Sequence, residues 1–248
     1  MTGPMPWESY HPAVFVLGFP AQAFGTNCYV VASAAGEECL VIDPGIGVVD
    51  QLSELLRDHR LRPAAVLLTH GHLDHIFSVT PVCGAHGVAL SVHSADRYRL
   101  ADPVGTLGPE LKAMFRQQFG EANWKEPDDV RTIEDGQRLT IAGVDVDVIH
   151  APGHTEGSVM FSLPGVPDSL GSESGLSATL VSGDVLFAGS IGRSDLPGGD
   201  PAAMMRSLRE RVLPLPDETL VLPGHGQATT IGRERAGNAF LHQAAASG

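Results

Sequence analysis

The chain has 248 residues, 43% hydrophobic and 18% charged, a balance that builds a packed core and excludes a disordered polymer. Its formal net charge of −13 argues against nucleic-acid and membrane-surface partners, both of which recruit basic stripes. No apolar run reaches membrane-spanning length, and Met1 to Trp7 lacks the basic and apolar regions of a secretion signal.

In chain order, short β-rich runs come first, at Ala13–Phe19, Cys28–Ala32 and Cys39–Ile42, and Asp43-Pro44-Gly45 then turns the chain. Val48 to His59 reads as an amphipathic helix, with Val48, Leu52, Leu55 and Leu56 on one face. Ala64–Leu68 is a buried strand ending at Thr69-His70, followed by a helix over Leu73–Cys83 and a strand at Val88–Val92. Residues 94–136 are expected to form a helical insert, broken by Pro103, Gly105 and Pro109, that serves either as a lid or as a surface helical pair. A hairpin of Arg138–Ile141 and Val144–Ile149 turns at Ala142-Gly143. Strands at Ser158–Leu163 and Ala178–Val181 flank a Pro/Gly/Ser-rich loop, 164–177, read as mobile. Asp200-Pro201 opens a helix that runs to Val212, and Thr219–Leu222 is the last strand. Strands alternating with helices make the chain α/β, expected as one unit over 1–248. The three cysteines, Cys28, Cys39 and Cys83, form no CxxC pair; small core residues in a cytoplasmic protein are the simplest account.

The densest chemistry lies in His70-Gly71-His72-Leu73-Asp74-His75. Imidazoles and carboxylates are the ligands that Zn²⁺ and Fe²⁺ prefer. Residues two apart in extended chain face the same way, so His70 and His72 can share one metal. Asp74 and His75 follow the turn and can face a second metal. Further ligands are sought at strand ends, where α/β folds place active sites. His154, Asp184 and His225 each follow a strand and each is preceded by a glycine, which permits sharp turning and close backbone approach.

The ordered series His70-x-His72-x-Asp74-His75, His154, Asp184, His225, together with Thr26-Asn27-Cys28-Tyr29 and Ile42-Asp43-Pro44-Gly45, resembles the metallo-β-lactamase superfamily over nearly the whole chain. That resemblance implies an αβ/βα four-layer sandwich with two metals at the sheet edges. By the same resemblance His70, His72 and His154 hold the first metal, Asp74, His75 and His225 hold the second, and Asp184 bridges them. Common dizinc β-lactamases resemble the chain poorly, since they carry Cys at the Asp184 position and lack His75. The segment from Phe187 to Asp200 and the tail from Pro223 to Gly232 are similar to the short, single-domain glyoxalase II-like hydrolases. Too few residues follow His225 for the helical domain that holds glutathione in the long enzymes, which leaves the carrier thiol open.

The implied activity is hydrolysis of an S-acyl thiol by a metal-activated water, with two divalent ions (zinc first, iron or manganese as alternatives) and a small-molecule thioester as substrate. Metal coordination brings the pKa of water to about 7, and two ions can hold the resulting hydroxide between them. Asp74 and Asp184 are the expected catalytic carboxylates. Asp43 is a candidate acceptor for a ligand imidazole N–H, or else a simple turn residue. Arg193 is a candidate for a substrate carboxylate, with an ion pair to Asp195 or Asp200 as the competing assignment. An iron-dependent persulfide dioxygenase, using a single site formed by His70, His72, His154 and Asp184, is the alternative from another reaction class, and lactone hydrolysis is a third.

Overall fold

The computed structural model describes residues 14–119, 124–171 and 174–247. The N-terminal expectation for Met1–Trp7 and parts of the 94–136 and 164–177 expectations lie outside them.

Two six-stranded sheets form the centre. The first contains β1 (Phe15–Pro20), β2 (Asn27–Ala32), β3 (Glu38–Ile42), β4 (Arg62–Leu67), β5 (Leu90–His93) and β6 (Val130–Ile133), in that spatial order. The first two pairings are antiparallel and the next three are parallel. The second sheet runs from β7 (Arg138–Ile141) and β8 (Val144–His150) through β9 (Val159–Leu163) and β10 (Ala178–Gly183) to β11 (Thr219–Pro223) and β12 (Thr229–Thr230). Only β10 and β11 pair in parallel there.

The buried strands alternate between two cores. Cys39 and Val41 of β3 point outward to one cluster, whereas Leu40 and Ile42 point inward to another. In β4 Val66 joins the outer cluster and Ala65 and Leu67 the inner one. This period of two with apolar residues on both faces is what a sheet covered on both sides requires. The inner cluster joins the sheets through Leu40, Ile42 and Leu67 on one side and Val146, Val148 and Phe161 on the other. Helices α1 (Val49–Asp58), α2 (Leu73–Ile76) and α3 (Val79–His86) contribute Leu52, Leu56, Ile76 and Val82 to the outer face of the first sheet. After α4 (Pro109–Phe119), helices α5 (Pro201–Ser207), α6 (Ile231–Gly237) and α7 (Ala239–Ala246) cover the second sheet with Met204, Ile231 and Leu241. The layers are helix, sheet, sheet and helix.

Several local expectations change. The expected helix Leu73–Cys83 is two helices, because Pro81 in a continuous helix would clash with the carbonyl of Phe77. Ser78 fills the break, its hydroxyl donating to the Gly45 carbonyl at 2.6 Å. The expected helical insert over 94–136 is helical at Ser94–Leu100 and in α4, but Val130–Ile133 is an edge strand of the first sheet. In the 164–177 loop Val166 accepts a hydrogen bond from Val14, and Asp168–Leu170 forms a 3₁₀ turn. The helix opened by Asp200, whose carboxylate caps Ala202 and Ala203, passes into a π-helical turn at Leu208–Val212. The three cysteines are buried and unpaired, and burial pushes the thiols of Cys39 and Cys83 up to about 12. No helix among the described residues is long and apolar enough to cross a membrane.

Phe161 lies fully buried between the sheets, so Phe161→Ala is expected to cost about 3–5 kcal/mol of unfolding free energy, measured by urea denaturation.

Candidate metal centre

All seven proposed ligands stand after strand ends or in the short helix α2, at the rim shared by the two sheets. The loop after β4 carries His70 and His72 into α2, whose first turn holds Asp74 and His75. His154 follows β8, Asp184 follows β10 and His225 follows β11. Two of the preceding glycines adopt the left-handed region, Gly153 at φ 142° and Gly183 at φ 50°, which side-chain-bearing residues avoid. Gly224 is required for a different reason: a Cβ there would collide with the Asp184 carboxylate.

The donors form two clusters. The ring nitrogens of His70, His72 and His154 make one: His72 Nδ1 lies 2.8 Å, and His70 Nε2 3.2 Å, from His154 Nε2. Asp74, His75 and His225 make the other, with His75 Nε2 at 3.3 Å from His225 Nε2 and Asp74 Oδ2 at 3.2 Å from the same nitrogen. Asp184 spans both, with Oδ1 3.4 Å from His75 Nε2 and Oδ2 3.4 Å from His154 Nε2.

Hydrogen bonds behind the rings settle which nitrogens face inward as lone pairs. His154 Nδ1 donates to the Arg193 carbonyl at 2.6 Å. His75 Nδ1 donates to Asp43 Oδ2 at 2.9 Å. Thr69 donates its hydroxyl proton to Asp43 Oδ2 at 2.6 Å, so its oxygen accepts from His70 Nδ1 at 3.1 Å. The Nε2 atoms of His70 and His154 therefore point bare lone pairs into one small volume, which His75 Nε2 also faces. Face-to-face lone pairs repel, and a shared cation turns that repulsion into attraction. Asp184 Oδ1 is buried with no hydrogen-bond partner, which buried polar atoms rarely tolerate. The donor set thus fits divalent metal.

The electrostatics agree. Burial, reinforced by neighbouring histidines, holds His70 and His72 well below the usual imidazole range, in the neutral form that ligates. Burial works against ionised Asp184, but His75, His154 and His225 outweigh it and keep the carboxyl below its usual range. Burial also opposes charge on His75, yet Asp184, Asp74 and Asp43 raise it well above the usual value. The field around that ring is one that attracts a cation.

Asp43 holds the left-handed region at φ 51° at the end of β3 and receives Thr69 N as well as the Thr69 hydroxyl and His75. A second buried carboxylate, Asp96, has no counterpart in the sequence reading. It accepts Gly71 N at 2.7 Å, the Thr155 hydroxyl at 2.7 Å and Gly157 N at 2.8 Å, and so clamps the His70–His75 loop to the His154 loop. Arg99, fully buried, pairs with Asp96 and Glu156 and donates to the Pro197 carbonyl. A Cβ on Gly71 would meet the Arg99 chain at 2.8 Å, which explains the glycine between the first two histidines. Thr26, in the Thr26–Tyr29 motif, donates to Asp74 Oδ2 at 3.0 Å, and Tyr29 donates to the Pro223 carbonyl at 2.7 Å beside His225. Arg193 places its carbonyl on His154, while its exposed guanidinium forms a two-pronged pair with Asp195 at 2.7 and 2.8 Å. The ion pair is thus the geometry present at Arg193.

A cavity of about 420 Å³ opens above the donors, floored by His72, Asp74, His154, Asp184 and His225. Its walls come from α4, the Phe187 loop and the Leu196-Pro197 turn. Phe115 anchors α4 against Leu73 and Ile46, next to the ligand loop. Glu234 in α6 holds the Phe187 loop by accepting Gly189 N at 2.7 Å, and Asn238 donates to Ser190 O.

Removing the acceptor behind His75 by Asp43→Ala is expected to weaken metal affinity about 10–100-fold, measured by competition with a chromophoric chelator.

The family model described as the metallo-β-lactamase superfamily matches residues 21–225. An uncharacterised protein of Mycobacterium tuberculosis is 42% identical over 229 residues, covering 92% of this chain and 98% of that one. Hydroxyacylglutathione hydrolase GloC of Haemophilus influenzae is 33% identical over 228 residues, covering 90% of this chain and 96% of its own. Among solved structures, the BLEG-1 B3 metallo-β-lactamase superposes with a TM-score of 0.72 at 34% identity, over 92% of this chain and 99% of its own. TTHA1623, in a di-iron-bound form, gives 0.69 at 37% identity, over 90% and 99%. With two sheets between helical layers and a His/Asp cluster suited to a dinuclear metal site, the chain belongs to the metallo-β-lactamase superfamily.

Proposed function

We propose that this metal-dependent hydrolase cleaves a small-molecule thioester, releasing a carboxylic acid and a thiol. The observation that carries the reading is the pair of donor clusters spanned by Asp184 on the floor of a cavity walled by α4 and the Phe187 loop. The likeness to GloC over nearly the whole of both chains supports the thioester as the bond attacked.

His70, His72 and His154 would hold one ion, Asp74, His75 and His225 the other, and Asp184 would touch both. Zinc is the proposed metal, with iron or manganese as alternatives; the di-iron form of TTHA1623 keeps iron in view. When bound, such ions polarise a carbonyl as Lewis acids and make water acidic near neutral pH. Asp43 and the Arg193 carbonyl hold the imidazoles of His75 and His154 in the ligating tautomer. Asp74 Oδ2, fixed by the Thr26 hydroxyl, faces the cavity and orients the attacking water. A thiolate leaves without prior protonation, so no dedicated general acid is required.

The test is thiol release from a panel of thioesters, S-lactoylglutathione among them, run beside O₂ uptake with glutathione persulfide. Thiol release that chelation abolishes and added metal restores is the expected result. O₂ uptake by protein holding one iron would contradict it in favour of a persulfide dioxygenase. Nitrocefin turnover exceeding thioester turnover would contradict it in favour of a β-lactamase, the activity named for BLEG-1.

The Arg193 guanidinium, the candidate for a substrate carboxylate, is held by Asp195, and that ion pair is its proposed role. Arg193→Ala is expected to leave KM within about twofold for thioesters with and without a carboxylate, with thermal stability little changed, since an exposed ion pair contributes about 1 kcal/mol or less.

A further inference from the structure

The metal centre explains what bond is attacked, and the cavity walls bear on which molecule carries it. Those walls are apolar. Leu111, Met114 and Phe115 face the donors from α4, at the three- and four-residue spacing that puts them on one helix face. Phe24, Phe187 and Leu196 close the other sides. Among the described residues that line the cavity, Arg193 is the single arginine or lysine, and Asp195 already holds its guanidinium.

Phe24 and Met114 are two of the few large apolar side chains left in water, at 47% and 42% exposed, and both stand at this cavity. Phe24 is also held at φ 61°, a conformation that a bulky residue adopts at a cost of order 1–3 kcal/mol. Strain and exposed apolar surface at one mouth are what a ligand-binding wall shows before its ligand arrives. A carboxylate or ammonium lodged against these walls would lose its water without gaining a partner. An uncharged hydrocarbon group loses nothing and releases the water on both surfaces.

We infer that the apolar chamber between α4, Phe24 and Phe187 selects thioesters bearing an uncharged aliphatic or aromatic substituent, rather than a charged peptide thiol such as glutathione. The inference rests on the thioester reading above and concerns what the same site recognises. The chamber volume corresponds to on the order of ten heavy atoms.

Acetyl, hexanoyl and glutaryl thioesters of N-acetylcysteamine, and the acetyl thioester of hexanethiol, separate the possibilities. Each methylene moved from water into the chamber is worth about fourfold. Lengthening the acyl or the thiol side is expected to raise kcat/KM at least about tenfold, and the two arms tell which side enters the chamber. The glutaryl ester, with its terminal carboxylate, is expected to fall about tenfold or more below the hexanoyl ester. Met114→Asp, at an exposed position where folding is not at stake, should lower the hexanoyl-to-acetyl ratio at least about fivefold. Calorimetry with the uncleavable hexyl and methyl thioethers of N-acetylcysteamine reads the chamber without turnover, in metal-free and metal-loaded protein. The hexyl compound is expected to bind at least about tenfold tighter in both.

Thioester turnover that is flat with chain length, or equal for glutaryl and hexanoyl esters, would overturn the inference and leave the hydrolase reading standing. Tighter hexyl thioether binding without any thioester turnover would uphold the chamber and overturn the hydrolase reading. Neither turnover nor thioether preference would overturn both.

Discussion

Bare imidazole nitrogens from separate strand ends face one another within about hydrogen-bonding distance, and most of the rim is built to keep them there. His70 Nε2 and His154 Nε2 stand 3.2 Å apart although both carry lone pairs. Such a cluster would spread apart unless each ring were held from behind and a cation were available in front. The holding groups are specific: Asp43 behind His75 and, through Thr69, behind His70; the Arg193 carbonyl behind His154. Asp96 adds a second level by tying together the two loops that carry the first cluster. The sheets supply rigid strand ends, and buried carboxylates convert those ends into fixed ligand directions.

Much of this centre is legible in the sequence because its ligands obey local rules. The His70–His75 hexapeptide declares itself by spacing, and His154, Asp184 and His225 each follow a strand pattern and a glycine. The strand alternation of β3 and β4 is likewise a local signal that survives into the packed sheets. The break between α2 and α3 was also open to local reasoning, since Pro81 cannot sit mid-helix.

What stays hidden depends on contacts between residues far apart in the chain. Asp96 looks like any helical acid until Gly71, Thr155 and Gly157 converge on it from two other segments. Arg99 reads as a surface charge but is fully buried, its stem packed on Gly71. The contribution of Arg193 to His154 is a backbone carbonyl, which side-chain identity cannot reveal. β6 escapes because four residues at a sheet edge carry too little periodicity, and Val130–Ile133 becomes a strand only by pairing with β5.

The chemistry and the recognition occupy different parts of the chain. Ligands come from the strand ends, whereas the cavity walls come from α4 and the Phe187 loop, with Glu234 and Asn238 bracing the latter. One can change without rebuilding the other, which is how a shared metal centre serves different substrates. The dinuclear centre itself is tested most directly by the number of divalent ions bound per folded chain, counted by native mass spectrometry after metal loading. Two ions are expected, falling to one in His225→Ala, whose ring is the most exposed of the three imidazoles that meet Asp184 or Asp74 across the two clusters. Saturation at a single ion in the unaltered protein would contradict a two-metal site.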